Sequence, residues 1–190
     1  MHMIHDLSYM PEGWTGHLVG SRDIVSALER IHQHQPIRSI LEFGFNSGWS
    51  AALFFTLFPD CRITSIEINQ NLSAEQGVKA LQTRFPDRHS VVWADSTQLS
   101  TGDFTSEPYD TAFIDGGHDP DTVSSDIHLA RSLGIRNFIF DDANNPNVIP
   151  GIAQHQDLKK ISSNPYPIIR YKKGSYRSKN KFSSLDHYQI

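Results

Sequence analysis

The sequence predicts an α/β fold: a doubly wound, mostly parallel sheet with helices on both faces and an antiparallel hairpin at its C-terminal end. Three observations carry this expectation. From residue 21 onward, short apolar runs alternate with segments of helical period, the order of successive βα units. An acid stands at the end of each of the first five runs. The segment 161–190 then breaks the alternation with two extended runs flanking a basic, polar stretch, which reads as a hairpin.

The first helix fits 21–34, where Ile24, Leu28 and Ile31 recur on one face and Pro36 stops it. Strand one follows from Arg38 to Phe43. The segment from about Ser47 to Phe58 is apolar nearly all round, as suits a helix packed between sheet and neighbours. Strand two runs from Arg62 to Ile68. A helix over about 72–85 presents Val78, Leu81 and Phe85, and Pro86 closes it before a strand from Ser90 to Ala94. Strand four is Tyr109 to Asp115. Asp119-Pro120 supplies a cap and a first-turn proline for a helix carrying Val123, Ile127, Ala130 and Leu133, which Gly134 ends. Strand five is Ile135 to Phe140, and a helix over about 147–158 follows with Val148, Ile152 and Ala153 facing inward. Tyr166 to Lys172 and Ser183 to Ile190 form the expected hairpin strands.

With 190 residues, 38% of them hydrophobic and 11% aromatic, the chain suffices for one domain. It divides into an arm (1–20), the βα units (21–160) and the hairpin (161–190). No stretch approaches the ~20 apolar residues of a membrane span, and the first residues lack a basic-then-apolar leader, so a soluble, cytoplasmic protein is expected. Cys61 is the only cysteine, which leaves no internal disulfide, cysteine-zinc cluster or dithiol pair and suits a small core residue. Of 17 basic residues, Arg170, Lys172, Lys173, Arg177, Lys179 and Lys181 fall in the acid-free stretch 170–181, leaving a strongly acidic body within a net charge of −4. That body argues against general nucleic-acid binding. The basic stretch reads more readily as a solvated hairpin loop than as a phosphate-binding tip.

Ligands of a doubly wound sheet bind at the carboxyl ends of the strands. There the sequence places Glu42-Phe43-Gly44-Phe45-Asn46-Ser47-Gly48-Trp49-Ser50, then Glu67, then Asp95-Ser96, then Asp115-Gly116-Gly117-His118, then Asp141-Asp142. Acids are costly to bury unpaired, so their recurrence at five corresponding positions points to a polar ligand. Gly44 and Gly48 let the backbone turn tightly and approach it. A nicotinamide fingerprint requires G-x-G-x-x-G, but Asn46 and Trp49 occupy its second and third glycine positions, so a dehydrogenase is disfavoured. Glu67 suits a ribose diol in either cofactor.

These residues resemble the class I S-adenosylmethionine-dependent methyltransferases, a Rossmann-like family, and within it the small O-methyltransferase branch. Glu42 to Ala51 looks like that branch's E-x-G-x-x-x-G-x-S-A/T loop. Phe113-Ile114-Asp115-Gly116-Gly117-His118 is similar to its F-I-D-G-G/S-H signature, and Asp141-Asp142 followed by Pro150-Gly151 resembles its D-D and P-G pair. The resemblance spans about 38–155. It implies that Gly44, Phe45, Asn46, Ser47 and Gly48 lie beside the methionine part of the cofactor with Glu42 near its amino group. It implies Glu67, with Ile68 after it, at the ribose, Asp95 and Ser96 at the adenine edge, and Asp115 at the amino group or a metal. Asp95 reads about as well as a cap or turn residue.

Asp115, Asp141 and Asp142 form a candidate set of hard oxygen ligands for Mg²⁺ or a similar ion, which would lower the pKa of an acceptor hydroxyl. Related metal-dependent enzymes often carry Asn at the third position, where Asp142 stands here with Asn144 and Asn145 close by. The structural alternative makes Asp142 a helix cap and Asp141 a hydrogen-bonded strand end. His118, at a strand-end loop three residues after Asp115, is the candidate base. The arm around Tyr9, Trp14 and His17 suits a cover for the site, a packing strand or a homodimer contact. The expected activity is methylation of a small polar acceptor, most simply at oxygen. Two alternatives are a cofactor-binding module without catalysis and a nucleic-acid methyltransferase; the second lacks the Asn/Asp-Pro-Pro-aromatic motif after strand four.

Overall fold

The computed structural model describes residues 7, 9, 10, 22–104, 108–172 and 175–190. The elements follow one another as α1 (Arg22–His34), β1 (Ser39–Phe43), α2 (Trp49–Leu57), β2 (Arg62–Glu67), α3 (Leu72–Arg84), β3 (His89–Trp93), β4 (Thr111–Ile114), α4 (Pro120–Ser132), β5 (Asn137–Phe140), α5 (Val148–Ala153), β6 (Lys159–Lys172) and β7 (Ser175–Gln189). The seven strands form one sheet in the order β3-β2-β1-β4-β5-β7-β6. β1 to β5 are parallel, whereas β7 runs antiparallel to β5 and to β6, as expected of a closing hairpin. Strand order reverses between β1 and β4, which opens the crevice where a ligand binds in such sheets.

Side-chain alternation along the strands divides the core into two layers. Ile40, Ile63, Phe113, Ile139 and Leu185 face α1, α2 and α3. Leu41, Phe43, Ile66, Ala112, Ile114, Phe138 and Phe140 face α4 and α5. α2 buries Ala51, Ala52, Leu53, Phe54 and Phe55, which accounts for a helix apolar nearly all round. Cys61 is buried beside β2, and burial pushes its thiol up to about 12, so it acts as a core residue. Leu7 and Met10 are buried in the first layer, and the Tyr9 ring meets Phe85 edge-on at 5.9 Å. This part of the arm packs on the body. Trp14 and His17 lie outside the described residues.

Two expectations are corrected, and one stretch with no expected element gains structure. Two 3₁₀ turns, Ser96–Gln98 and Thr101–Asp103, stand between β3 and β4, each closed by a local aspartate, Asp95 and Asp103. α5 ends at Ala153 and not near 158; the His155 ring bonds the Ser124 hydroxyl on α4 at 3.1 Å, and the chain turns there toward β6. The basic stretch is strand, not loop, since β6 and β7 pair as far as Lys172 opposite Ser175.

Candidate functional site

The carboxyl ends of β1 to β5 converge on a cavity of about 790 Å³, within the range of small-molecule sites. Its floor is the loop after β1. Gly44 adopts φ +88°, Asn46 φ 51° and Gly48 φ +79°, three left-handed residues in a row of five that fold the backbone back on itself. A Cβ at Gly44 would stand 2.4 Å from the Asp115 carbonyl oxygen, so glycine is required both for its dihedral and for the approach of β1 to β4. The loop is also shaped from behind: a Cβ at Gly77 of α3 would fall 2.3 Å from the Ser47 carbonyl oxygen.

The structure places the predicted residues differently from one another. Gly44, Phe45, Asn46, Ser47, Glu67, Ile68, Asp95, Ser96, Asp115, His118, Asp141 and Asp142 all border this one cavity. The Phe45 side chain, however, is buried and stacks on His89 at 5.1 Å, so its backbone is what faces a ligand. Gly48 caps α2 at the edge of the loop and is not among the lining residues. Glu42 also lies beneath the cavity. It accepts from the Ser50 and Ser65 hydroxyls, and Ser65 in turn meets His89 Nε2 at 3.0 Å. Burial pushes its carboxyl up to about 7, against the pull of the two serines and with a further push from the charge of Glu67. Ser50, a lining residue, is the link between Glu42 and the cavity.

Glu67 is tied to the loop itself. Its Oε2 accepts from the backbone N–H groups of Phe45 (3.1 Å) and Asn46 (2.6 Å), and its Oε1 from that of Asn69 (2.7 Å). Ile68 is 63% exposed at the rim and offers an apolar face. Asp95 caps the following 3₁₀ turn through Oδ1, which accepts from the Thr97 N–H and hydroxyl, as its cap reading anticipates.

On the opposite wall, burial pushes Asp115 well above the usual carboxylate range, with additions from Asp141, Asp142 and Glu42. His118 Nε2 stands 3.0 Å from Asp142 Oδ2. That hydrogen bond is the largest cause raising the imidazole above its ordinary value; burial opposes it, and the charges of Asp142 and Asp141 add to it. Asp141 Oδ1 accepts from the Asp142 N–H at 2.9 Å, and Asp142 adopts φ 51° to allow it. The expected divalent site is therefore not assembled. The carboxylates of Asp141 and Asp142 turn toward protein donors, and among the described residues no group of three His, Cys, Asp or Glu side chains is arranged to hold a metal ion.

In the sequence, Ser50 belongs to the glycine loop without a role of its own, and Asn69, Asn71, Thr122 and Asp126 are not singled out; these five also line the cavity. Asp126 had a visible signal: it interrupts the apolar face of α4 three residues after Val123 and four before Ala130. Among the described residues the lining then contains six acids (Glu67, Asp95, Asp115, Asp126, Asp141 and Asp142), one histidine and no lysine or arginine. Carboxyl groups gathered in one cavity favour a ligand that brings positive charge or hydrogen-bond donors.

The sequence model of the methyltransferase domain matches residues 41–135, the stretch from β1 through α4. The chain belongs to this family. It is a class I S-adenosylmethionine-dependent methyltransferase, and the match covers the glycine loop and the acids that end β1 to β4. Among curated protein sequences there is no match. Solved structures of methyltransferases share the fold. Precorrin-6y C5,15-methyltransferase from Geobacter metallireducens superposes with a TM-score of 0.67 at 12% identity, over 96% of this chain and 95% of that one. An O-methyltransferase from Bacillus cereus, solved with S-adenosylhomocysteine, gives 0.61 at 18% identity, over 96% and 86%. The O-methyltransferase TomG from Streptomyces achromogenes, solved with S-adenosylmethionine, gives 0.62 at 17% identity, over 91% and 82%. At these identities the likeness is one of fold. No helix among the described residues is long and apolar enough to cross a membrane.

Proposed function

We propose that this methyltransferase is a single-domain enzyme that binds S-adenosylmethionine in the acidic cavity and transfers its methyl group to the hydroxyl of a small polar acceptor. The observation that carries the reading is the lining of six acids without a balancing lysine or arginine among the described residues. The cofactor brings a sulfonium and an ammonium, the two positive charges such a lining favours, together with a ribose diol for Glu67. The same lining opposes the phosphates of a nucleic acid, whose binding rests on lysine and arginine. The O-methyltransferases among the fold relatives support oxygen as the acceptor atom.

In this reading the backbone of Gly44 to Ser47 cradles the methionine end, Ile68 covers the nucleoside from the rim, and the acceptor enters beside His118. Because Nε2 of His118 donates to the Asp142 carboxylate, Nδ1 keeps the free lone pair. The acceptor oxygen attacks the sulfonium methyl; the C–S bond breaks as the C–O bond forms, S-adenosylhomocysteine leaves as a neutral sulfide, and the hydroxyl proton passes to Nδ1. Alignment and proton removal supply the rate, without a covalent enzyme intermediate. No step runs through a metal.

Titration calorimetry of the intact protein with S-adenosylmethionine, followed by transfer of labelled methyl groups to a panel of phenols, sugars and hydroxy acids, tests this. Binding with O-methylation is the expected result. Absence of binding, or transfer only to nitrogen acceptors or nucleic acid, would overturn it. Loss of turnover in a chelator with cofactor binding intact would restore the divalent ion.

A further inference from the structure

We infer that Asp126, from α4, is the residue that recognises the 6-amino group of the cofactor's adenine. The inference rests on reading the cavity as the S-adenosylmethionine site and adds a determinant of base specificity to it. Asp126 is fully buried, yet it belongs to the cavity lining. Neither of its carboxyl oxygens makes a hydrogen bond of good geometry among the described residues, although the Ser96 hydroxyl stands near enough to draw on the group. A buried carboxyl left without partners is costly, and in a ligand cavity the missing partner is a donor on the ligand.

Position decides which donor. α4 packs on the 3₁₀ turn Ser96–Gln98 that follows β3, and Asp126 Oδ2 lies 3.5 Å from where a Cβ on Gly116 would stand, after β4. The methionine end of the ligand belongs to the loop after β1 and the ribose to Glu67 after β2, so the wall between the ends of β3 and β4 meets the base. There the exocyclic amine is the only donor that adenine attached through N9 offers. Asp95, the other acid at this end, already spends Oδ1 on capping Thr97. Burial pushes the Asp126 carboxyl up to about 7, the nearby Ser96 hydroxyl draws it down, and the charges of Asp119 and Asp95 push it up again. Above that value the group is an acceptor alone and discriminates an amine from a carbonyl at position 6 of the purine.

Calorimetry at pH 8.5 with S-adenosylhomocysteine and its 6-oxo analogue, S-inosylhomocysteine, tests the assignment. The wild-type chain is expected to prefer the amine by about tenfold or more, the usual scale for a buried group left unpaired. Asp126→Asn, which can turn either an oxygen or an N–H toward the base, is expected to bring the two within about threefold of each other. Asp126→Ala provides the same reading if the asparagine variant folds poorly. Asp95→Asn is expected to keep the wild-type ratio. An unchanged ratio in both Asp126 variants, or collapse of the ratio in Asp95→Asn instead, overturns the inference alone. Failure of the wild-type chain to bind S-adenosylhomocysteine overturns it together with the proposed site.

Discussion

The backbone N–H of Asn46 donates to Glu67 Oε2 at 2.6 Å, so the acid that ends β2 holds the loop that follows β1 in its left-handed turn. The same carboxylate takes two further backbone N–H groups. Glu67→Ala strands all three donors. It should lower the unfolding free energy by about 2–3 kcal/mol, the scale of charge-assisted bonds to a buried partner. Cofactor affinity should fall at least about tenfold, because the loop and a ribose contact are lost together. Glu67→Gln retains one acceptor oxygen and should lose less on both counts. Denaturant titration and calorimetry measure the two effects.

His118 should act as a base in its neutral form. Because Asp142 raises its pKa, kcat should climb with pH through an inflection above the ordinary histidine value of 6.5. Asp142→Asn removes the main cause of the shift, so the inflection should move to lower pH. His118→Ala should reduce kcat by about 10²-fold or more while leaving cofactor affinity within about threefold of wild type. A pH-rate profile for the three proteins checks these outcomes; equal profiles for wild type and Asp142→Asn would exclude His118 as the titrating group.

Glu42 links the site to stability. An ordinary carboxyl of pKa 4.5 in the unfolded chain rises to about 7 in the folded one, so the folded state holds its proton more tightly. Stability from this group is complete below pH 4.5, falls as the pH rises from there to about 7, and stays at its reduced level above. Glu42→Gln carries no such penalty. It should raise the melting temperature at pH 8, by about 2–4 °C for each kcal/mol recovered, and flatten its dependence between pH 5 and 7. Scanning calorimetry across that range measures it.

The parts of the fold legible in the sequence were those whose signal is local. Apolar runs marked β1, β2, β4 and β5, and the Asp119-Pro120 pair marked the start of α4. The stopping point of α5 was not legible, because it depends on His155 reaching across to Ser124 on a different helix. Nor was the full length of β6 and β7, since polar and basic residues there are held in strand by pairing between the two chains of the hairpin. At the site, the acids after each strand could be read in order. Their orientation could not: that Glu42 sits under the cavity and that Asp142 meets His118 follow from contacts distant in sequence, and the bond of Asp141 to the next residue's N–H goes with the left-handed backbone at Asp142.

Glycine positions should separate by what a methyl group meets. Gly44→Ala places a carbon against the Asp115 backbone at a left-handed dihedral, so neither the strand nor the angle can yield. It should abolish cofactor binding or folding. Gly134→Ala meets only the dihedral strain, with open space around the added carbon, and should cost about 1 kcal/mol, the strain of one left-handed residue. Thermal melts with calorimetry on the folded variants distinguish the two.

The approach of Gly77 to the Ser47 carbonyl extends the constraint on the cofactor loop into α3. The loop's conformation is therefore inherited jointly from two stretches of sequence, and a loop transplanted from another methyltransferase would arrive without its backing. Any effort to retool this enzyme for a different sulfonium donor has to vary position 77 together with 44 to 48, or the new loop will be pressed into the old shape.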